Sequence, residues 1–224
     1  MSIKQLLVAL AGVTLATVAF AAPAKPAGNA AAGQAKSAAC GGCHGPDGNN
    51  PPEMFAAIKA PKLAGQVPDY IVKSLHDYKA ARRSNEVMSP QAQAVAENDM
   101  ADIAAWFGSQ KVQPNPAQNK DLLAQGEKIY MKGIGRPDVV AACIGCHAPN
   151  GVGNRDWDKI MSRVPAVLAP AIGGQHAGYI SDQLKAYKTG KRATDPAKVM
   201  RDIAGRMSEK DITAVSEYIS TLGR

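Results

Sequence analysis

The sequence predicts an all-α protein in which one domain of about 100 residues occurs twice in tandem. Three observations carry this expectation. The second half of the chain repeats the first at a nearly constant offset. Apolar residues recur at helical spacing, and no stretch alternates convincingly with the period of two that a strand requires. Segments rich in Gly, Pro and Asn separate the periodic ones. The repeat itself is direct: CGGCHGPDGNN (40–50) returns as CIGCHAPNGVGN (143–154), and PKLAGQVPDYIVKSLHDYKAARR (61–83) returns as PAIGGQHAGYISDQLKAYKTGKR (170–192) at an offset of 109. VMSPQAQAVAENDMADIAAWF (87–107) matches VMRDIAGRMSEKDITAVSEYI (199–219) without a gap at an offset of 112. A unit of this length is too long for a solenoid repeat and suits a small duplicated domain.

The elements follow in chain order. Lys4 is the only charge before the apolar run LLVALAGVTLATVAFAA (6–22), which ends in the small-x-small pattern Ala19-Phe20-Ala21. The run is short of the ~20 residues of a membrane span. It has the layout of a secretory signal over residues 1–21, with an uncleaved anchor as the alternative, so the mature protein is expected in a bacterial periplasm. Residues 29–39 read as a helix capped by Asn29. From CxxCH to Pro61 the chain reads as loop. Asp69 is placed as the cap of a helix to about Ala81, with Ile71, Leu75 and Tyr78 on one face. The last helix of each half falls at 97–108 and 209–222. The boundary lies in SQKVQPNPAQNK (109–120), whose prolines and polar residues read as a connector. The expected division is therefore 22–112, a linker at 113–120, and 121–224.

Composition limits what such domains hold. Aromatic residues are only 5% of the chain, so the cores are small or borrow apolar surface from something other than protein, and a macrocycle supplies it. The net charge of +7, or +6 without Lys4, and the pI near 9.2 come from scattered Lys and Arg. They form no basic stripe, and nucleic acid is not the expected partner of an exported chain. A solvated basic surface is the plain reading, and an acidic protein or an anionic membrane surface is the functional one.

All four cysteines lie in two CxxCH segments. A thioredoxin-like dithiol needs a βαβ setting and no His after the second Cys. A zinc site of paired CxxC units expects roughly 15–20 residues between them, whereas Cys43 and Cys143 are 100 apart. Attachment of a c-type haem explains every element. Cys40 and Cys43, and Cys143 and Cys146, add to the porphyrin vinyl groups as thioethers, and His44 and His147 lie under the iron as proximal ligands. Two haems are expected.

A sixth ligand of the His or Met type must come from elsewhere. Met88 and Met200 occupy equivalent repeat positions, each after a loop-like stretch. Met54, Met100, Met161 and Met207 have no methionine counterpart and are read as core filler. His76 and His176 also lack a twin, and a surface or hydrogen-bonding role is expected. Pro61 and Pro170 either form rigid turns or place a carbonyl that accepts the proximal His Nδ1–H. Gln66, Tyr70, Arg83, Gln175, Tyr179 and Arg192 recur in both halves, as partners of haem propionates or as plain surface polarity.

CGGCHGPDGN, PKLAGQ, DIAAWFGSQK, CIGCHAPNGVGN and GGQHAGYISDQL together make the chain resemble the di-haem cytochrome c4 family over nearly all of its mature length. The resemblance implies two class I cytochrome c domains wrapped around covalently attached haems, which lie near each other across the domain interface. It implies Met88 and Met200 as distal ligands and electron transfer to a membrane terminal oxidase of the haem–copper type. The loop NRDWDKIMSRVPAVLA (154–169) departs from the pattern. The function expected is electron carriage without catalysis, at two unequal potentials. The alternatives are a cytochrome subunit of a flavin or sulfur-compound dehydrogenase, and a di-haem peroxidase-type enzyme.

Overall fold

Each half opens and closes with a helix, and these two helices cross at a glycine. The computed structural model describes residues 28–154 and 168–223; the signal segment, Met161 and most of the 154–169 loop lie outside the described residues. In the first half α1 (Ala30–Lys36) packs on α6 (Met100–Ser109), and in the second α7 (Leu123–Lys132) packs on α11 (Glu209–Thr221). A Cβ on Gly33 would lie 1.9 Å from the Asp102 carbonyl oxygen, and one on Gly126 would lie 2.1 Å from that of Ala214. Neither crossing admits a side chain there.

Between these pairs run α2 (Ala38–His44), α3 (Pro52–Ile58), α4 (Pro68–Lys79) and α5 (Met88–Ala94) in the first half. The second half has α8 (Ile144–His147), α9 (Ala177–Lys188) and α10 (Val199–Gly205). Among the described residues there is no strand, only the isolated bridges Ile134–Val140 and Asn154–Ala169. No described helix is long and apolar enough to cross a membrane.

Several expectations need correction. Asn29 caps α1 as read, its side chain accepting from the Ala32 amide, but Asp69 is not a cap. Helix α4 starts at Pro68, whose fixed φ suits a first helical position, and Asp69 sits in its first turn. The stretch before Pro61 is not all loop, because the Pro51-Pro52 pair opens α3. Met88 and Met200 belong to the short helices α5 and α10. Met100 and Met207 are fully buried core residues as expected, whereas Met54 is half-buried on α3 and in neither core.

Two separate cores form. One gathers Ile71, Val72, Leu75, Tyr78, Met100, Ile103 and Phe107; the other gathers Ile129, Tyr130, Ile180, Leu184, Met207, Ile212, Val215 and Ile219. Burying one such large apolar side chain stabilises by roughly 1.5–3 kcal/mol.

The halves meet in a contact with the symmetry of the repeat. Gln66 donates from Nε2 to the Ala171 carbonyl and accepts the Ala171 N–H, both at 2.8 Å. Gln175 does the same with the Lys62 carbonyl and N–H, both at 2.9 Å. Arg83 donates to the Tyr179 hydroxyl at 2.8 Å, and Arg192 to the Tyr70 hydroxyl at 2.5 Å. Each guanidinium lies over a tyrosine of its own half, Arg83 at 4.9 Å from the Tyr78 centroid and Arg192 at 4.6 Å from that of Tyr187. The recurring polar residues thus make the domain interface, which their repetition alone did not reveal.

Other contacts between the halves have no twin, the Lys73 ammonium donating to the Thr194 carbonyl at 3.0 Å among them. His176 stacks on Phe55 of α3 with centroids 4.3 Å apart, and its Nε2 lies 3.1 Å from Asn50 Oδ1. The connector is held as well: the Lys62 ammonium donates to the Gln113 carbonyl and to Asn115 Oδ1, and Glu217 accepts the amides of Gln118 and Asn119.

Candidate functional site

Both CxxCH segments end a short helix, and the histidine is its buried last residue. His44 is 5% exposed and His147 is 8% exposed. The chain reverses immediately afterwards, at Gly45 (φ 81°) and at Ala148 (φ 62°). The following glycine carbonyls then hold the proline segments beneath the rings. Gly48 O accepts from the Leu63 and Ala64 amides, and Gly151 O from the Ile172 and Gly173 amides. The result is one geometry seen twice: His44 Nδ1 lies 2.7 Å from the Pro61 carbonyl oxygen, and His147 Nδ1 lies 2.8 Å from that of Pro170. A carbonyl only accepts, so Nδ1 carries the proton and Nε2 presents the lone pair. Burial holds both imidazoles below their usual pKa, with the carbonyls pulling the other way. They are neutral, ligand-competent rings.

One cysteine of each pair lies on the same two walls. Cys40 packs against the first core, as Met88 does; Cys143 packs against the second, as Met200 does. Each methionine thus flanks the core that its half's cysteine also flanks. None of the four cysteines is in a disulfide. Burial pushes the thiols of Cys40 and Cys146 above their usual pKa and that of Cys143 to about 11. A dithiol redox centre needs a lowered pKa instead. Among the described residues no three His, Cys, Asp or Glu side chains converge as a metal cluster, as a zinc site of CxxC pairs would require. A haem fits this donor set: two thiols for its vinyl groups, a neutral imidazole nitrogen, a thioether and an apolar wall.

The second half adds a bond with no counterpart among the described residues of the first, Tyr130 Oη donating to the Ala148 carbonyl at 2.6 Å. At the interface, burial opposes ionisation of Tyr70, but Arg192 and Arg83 outweigh it and hold the phenol below its usual pKa. Burial pushes Tyr78 up to about 12. His176 had a hydrogen-bonding role in prospect from the sequence; only the structure shows that the bond crosses between halves.

Comparison with known proteins adds the family. The cytochrome c family model matches residues 30–111 and again 123–223. Cytochrome c4 of Pseudomonas aeruginosa is 41% identical over 180 residues, which covers 80% of this chain and 81% of that protein. A thiosulfate dehydrogenase electron acceptor of Stutzerimonas stutzeri is 30% identical over 171 residues, 75% of this chain and 74% of that one. The crystal structure of reduced recombinant cytochrome c4 from Pseudomonas stutzeri superposes with a TM-score of 0.75 at 41% identity, covering 88% of this chain and all of that chain (100%). The two CxxCH-spaced cysteine pairs, 40/43 and 143/146, stand one in each matched domain. The protein carries two covalently bound haem c groups and transfers electrons without being an enzyme. A repeated fold, a repeated CxxCH geometry and this likeness converge: the chain belongs to the cytochrome c4 family of di-haem electron carriers.

Proposed function

We propose that the protein is a periplasmic carrier that passes single electrons to a membrane terminal oxidase, with His44 and Met88 as the axial ligands of one haem and His147 and Met200 as those of the other. The observation that carries the ligand assignment is the duplicated geometry. Each buried imidazole is fixed on a proline carbonyl, and each half has a methionine at the matching place against the same core as its cysteine.

The iron supplies one-electron chemistry between ferrous and ferric states. The chain's residues do the rest. Cys40, Cys43, Cys143 and Cys146 hold the macrocycle as thioethers. Pro61 and Pro170 orient the imidazoles through Nδ1–H, which raises ligand basicity. Bound to the iron, the methionines would raise its reduction potential relative to a second histidine. Among the described residues no carboxylate lies within ion-pair distance of Arg83 or Arg192; haem propionates are the carboxylates these interface cations would neutralise. Residues 1–21 are the export signal, and the domains divide at the 113–120 linker.

The likeness to a thiosulfate dehydrogenase electron acceptor favours a second reading for the donor side. In that reading a sulfur-compound dehydrogenase delivers the electrons. Oxygen uptake by oxidase-containing membranes tests the first reading: the reduced protein should restore it in membranes stripped of soluble cytochromes. No uptake above the stripped control would refute the oxidase assignment. Reduction of the oxidised protein by a thiosulfate dehydrogenase tests the second.

A further inference from the structure

The segments that present the two methionines are held by unlike devices. In the first half the chain from 84 to 87 is exposed, and Val87 is 58% exposed. What holds it is Asn85. Its Oδ1 accepts the Met88 amide at 2.8 Å and the Val87 amide at 3.0 Å. The Asn85 amide donates back to Ser89 Oγ at 3.1 Å, and the Ser89 amide donates to the Asn85 carbonyl at 3.0 Å. Four hydrogen bonds thus close a ring from 85 to 89, and one of them ends on the methionine's own amide.

The second half has no residue of this kind at the matching position, which the repeat offset of 112 assigns to Ala197. There Asp195 does the work from a side chain only 3% exposed. Its Oδ2 accepts the Arg201 amide at 2.9 Å and its Oδ1 accepts Arg201 Nε–H at 2.8 Å. Arg201 directly follows Met200. Between them Ala197 and Lys198 take positive φ, 50° and 60°, a backbone state that non-glycine residues adopt only when their surroundings impose it. The grip is charge-assisted and shielded from water, where the Asn85 ring is neutral and exposed.

We propose that Asn85 and Asp195 are the positioning residues of the two axial methionines, and that the exposed amide latch makes Met88 the ligand that yields first to an external one. This rests on the reading of Met88 and Met200 as iron ligands. The latch acts through the methionine's backbone: without Asn85 the Met88 amide loses its acceptor and the segment swings more often from the iron. In the second half, displacement of Met200 must also break a buried carboxylate–guanidinium contact.

The test uses the full ferric holoprotein mixed with excess imidazole, with loss of the Met–iron charge-transfer band followed in time. Two phases are expected. Met88→Ala should remove the fast phase together with its share of the band. Asn85→Ala should speed the fast phase about fivefold, the rate equivalent of losing a typical side-chain cap, and leave the slow phase alone. Asn85→Asp, an equally good cap, should restore the original rate. Asp195→Asn should speed only the slow phase, by about tenfold, since a charge-assisted contact is lost. Loss of the band in Met88→Ala with unchanged kinetics in Asn85→Ala would overturn the latch alone. So would equal acceleration of both phases by either variant, or a slow phase that belongs to Met88. A full band retained in Met88→Ala would overturn the ligand reading, and the latch with it.

Discussion

Truncating one interface glutamine should loosen the contact made by the other. Gln66 and Gln175 are 7% and 5% exposed, and each exchanges two hydrogen bonds with the backbone of the opposite half. Gln175→Ala removes the two hydrogen bonds that Gln175 exchanges with the Lys62 backbone across the interface. A buried hydrogen bond contributes about 1 kcal/mol net, so the loss of two costs the closed interface roughly 2 kcal/mol. At 1.36 kcal/mol per decade this is about thirtyfold in the opening equilibrium. The informative amide is not Lys62, whose bond to Gln175 the variant deletes, but Ala171, whose acceptor Gln66 is untouched. Amide hydrogen exchange of the peptide spanning 169–175, followed by mass spectrometry on the holoprotein, should show Ala171 exchanging about thirtyfold faster. Unchanged protection of Ala171 would refute the reasoning, because it would mean that the two glutamine clasps open independently and the interface is not one unit.

Other expected outcomes follow from the same structure. His176 is buried between Phe55 and Asn50, and burial first, then the Lys62 ammonium, lower its pKa to about 4. Its folded pKa is below the unfolded value, so the folded state binds fewer protons; stability is full above about pH 6.5 and falls as the pH drops toward 4. Denaturation midpoints should show this loss, of up to about 3 kcal/mol, and His176→Gln should flatten it; an equal acid dependence in the variant would refute the assignment. Gly33→Ala or Gly126→Ala forces a Cβ to within 1.9 or 2.1 Å of a carbonyl oxygen at the helix crossing, and a loss of about 3 kcal/mol or more in chemical denaturation is expected. Met88→Ala and Met200→Ala should each abolish about half of the ferric Met–iron charge-transfer band, and an unchanged band in either would displace that residue as a ligand.

What was legible in the sequence is what chemistry forces on neighbouring residues. Two cysteines and a histidine at fixed spacing announce their cofactor, because the covalent attachment is local. Duplication then narrows the choice of methionine, since a partner for His44 needs a twin for His147. The helices were legible where a cap or an apolar face marked them, as with Asn29 and with Ile71, Leu75 and Tyr78. Helix α3 was missed because its Pro- and Asn-rich entry also reads as loop, and its Phe55 contact lies more than 100 residues away, on His176. The interface glutamines, tyrosines and arginines were seen to recur, yet recurrence cannot separate a clasp between domains from a contact within each. Gln66 bonds a backbone 105 residues distant, a relation without a local signature. Asn85 carries no signal in the sequence, because a side chain that caps the amides two and three residues on, those of Val87 and Met88, resembles any exposed Asn.

The central claim is that each half places one His/Met-ligated, one-electron centre in an environment of its own. The two differ at Trp106 against Tyr218, at the Tyr130–Ala148 bond and at the devices holding the methionines. A potentiometric titration of the purified holoprotein, followed at the haem absorption bands and normalised to protein, tests this directly. The expected result is two electrons per chain, taken up in two one-electron steps at different potentials. One electron per chain, or two taken up at a single potential with identical spectra, would contradict it.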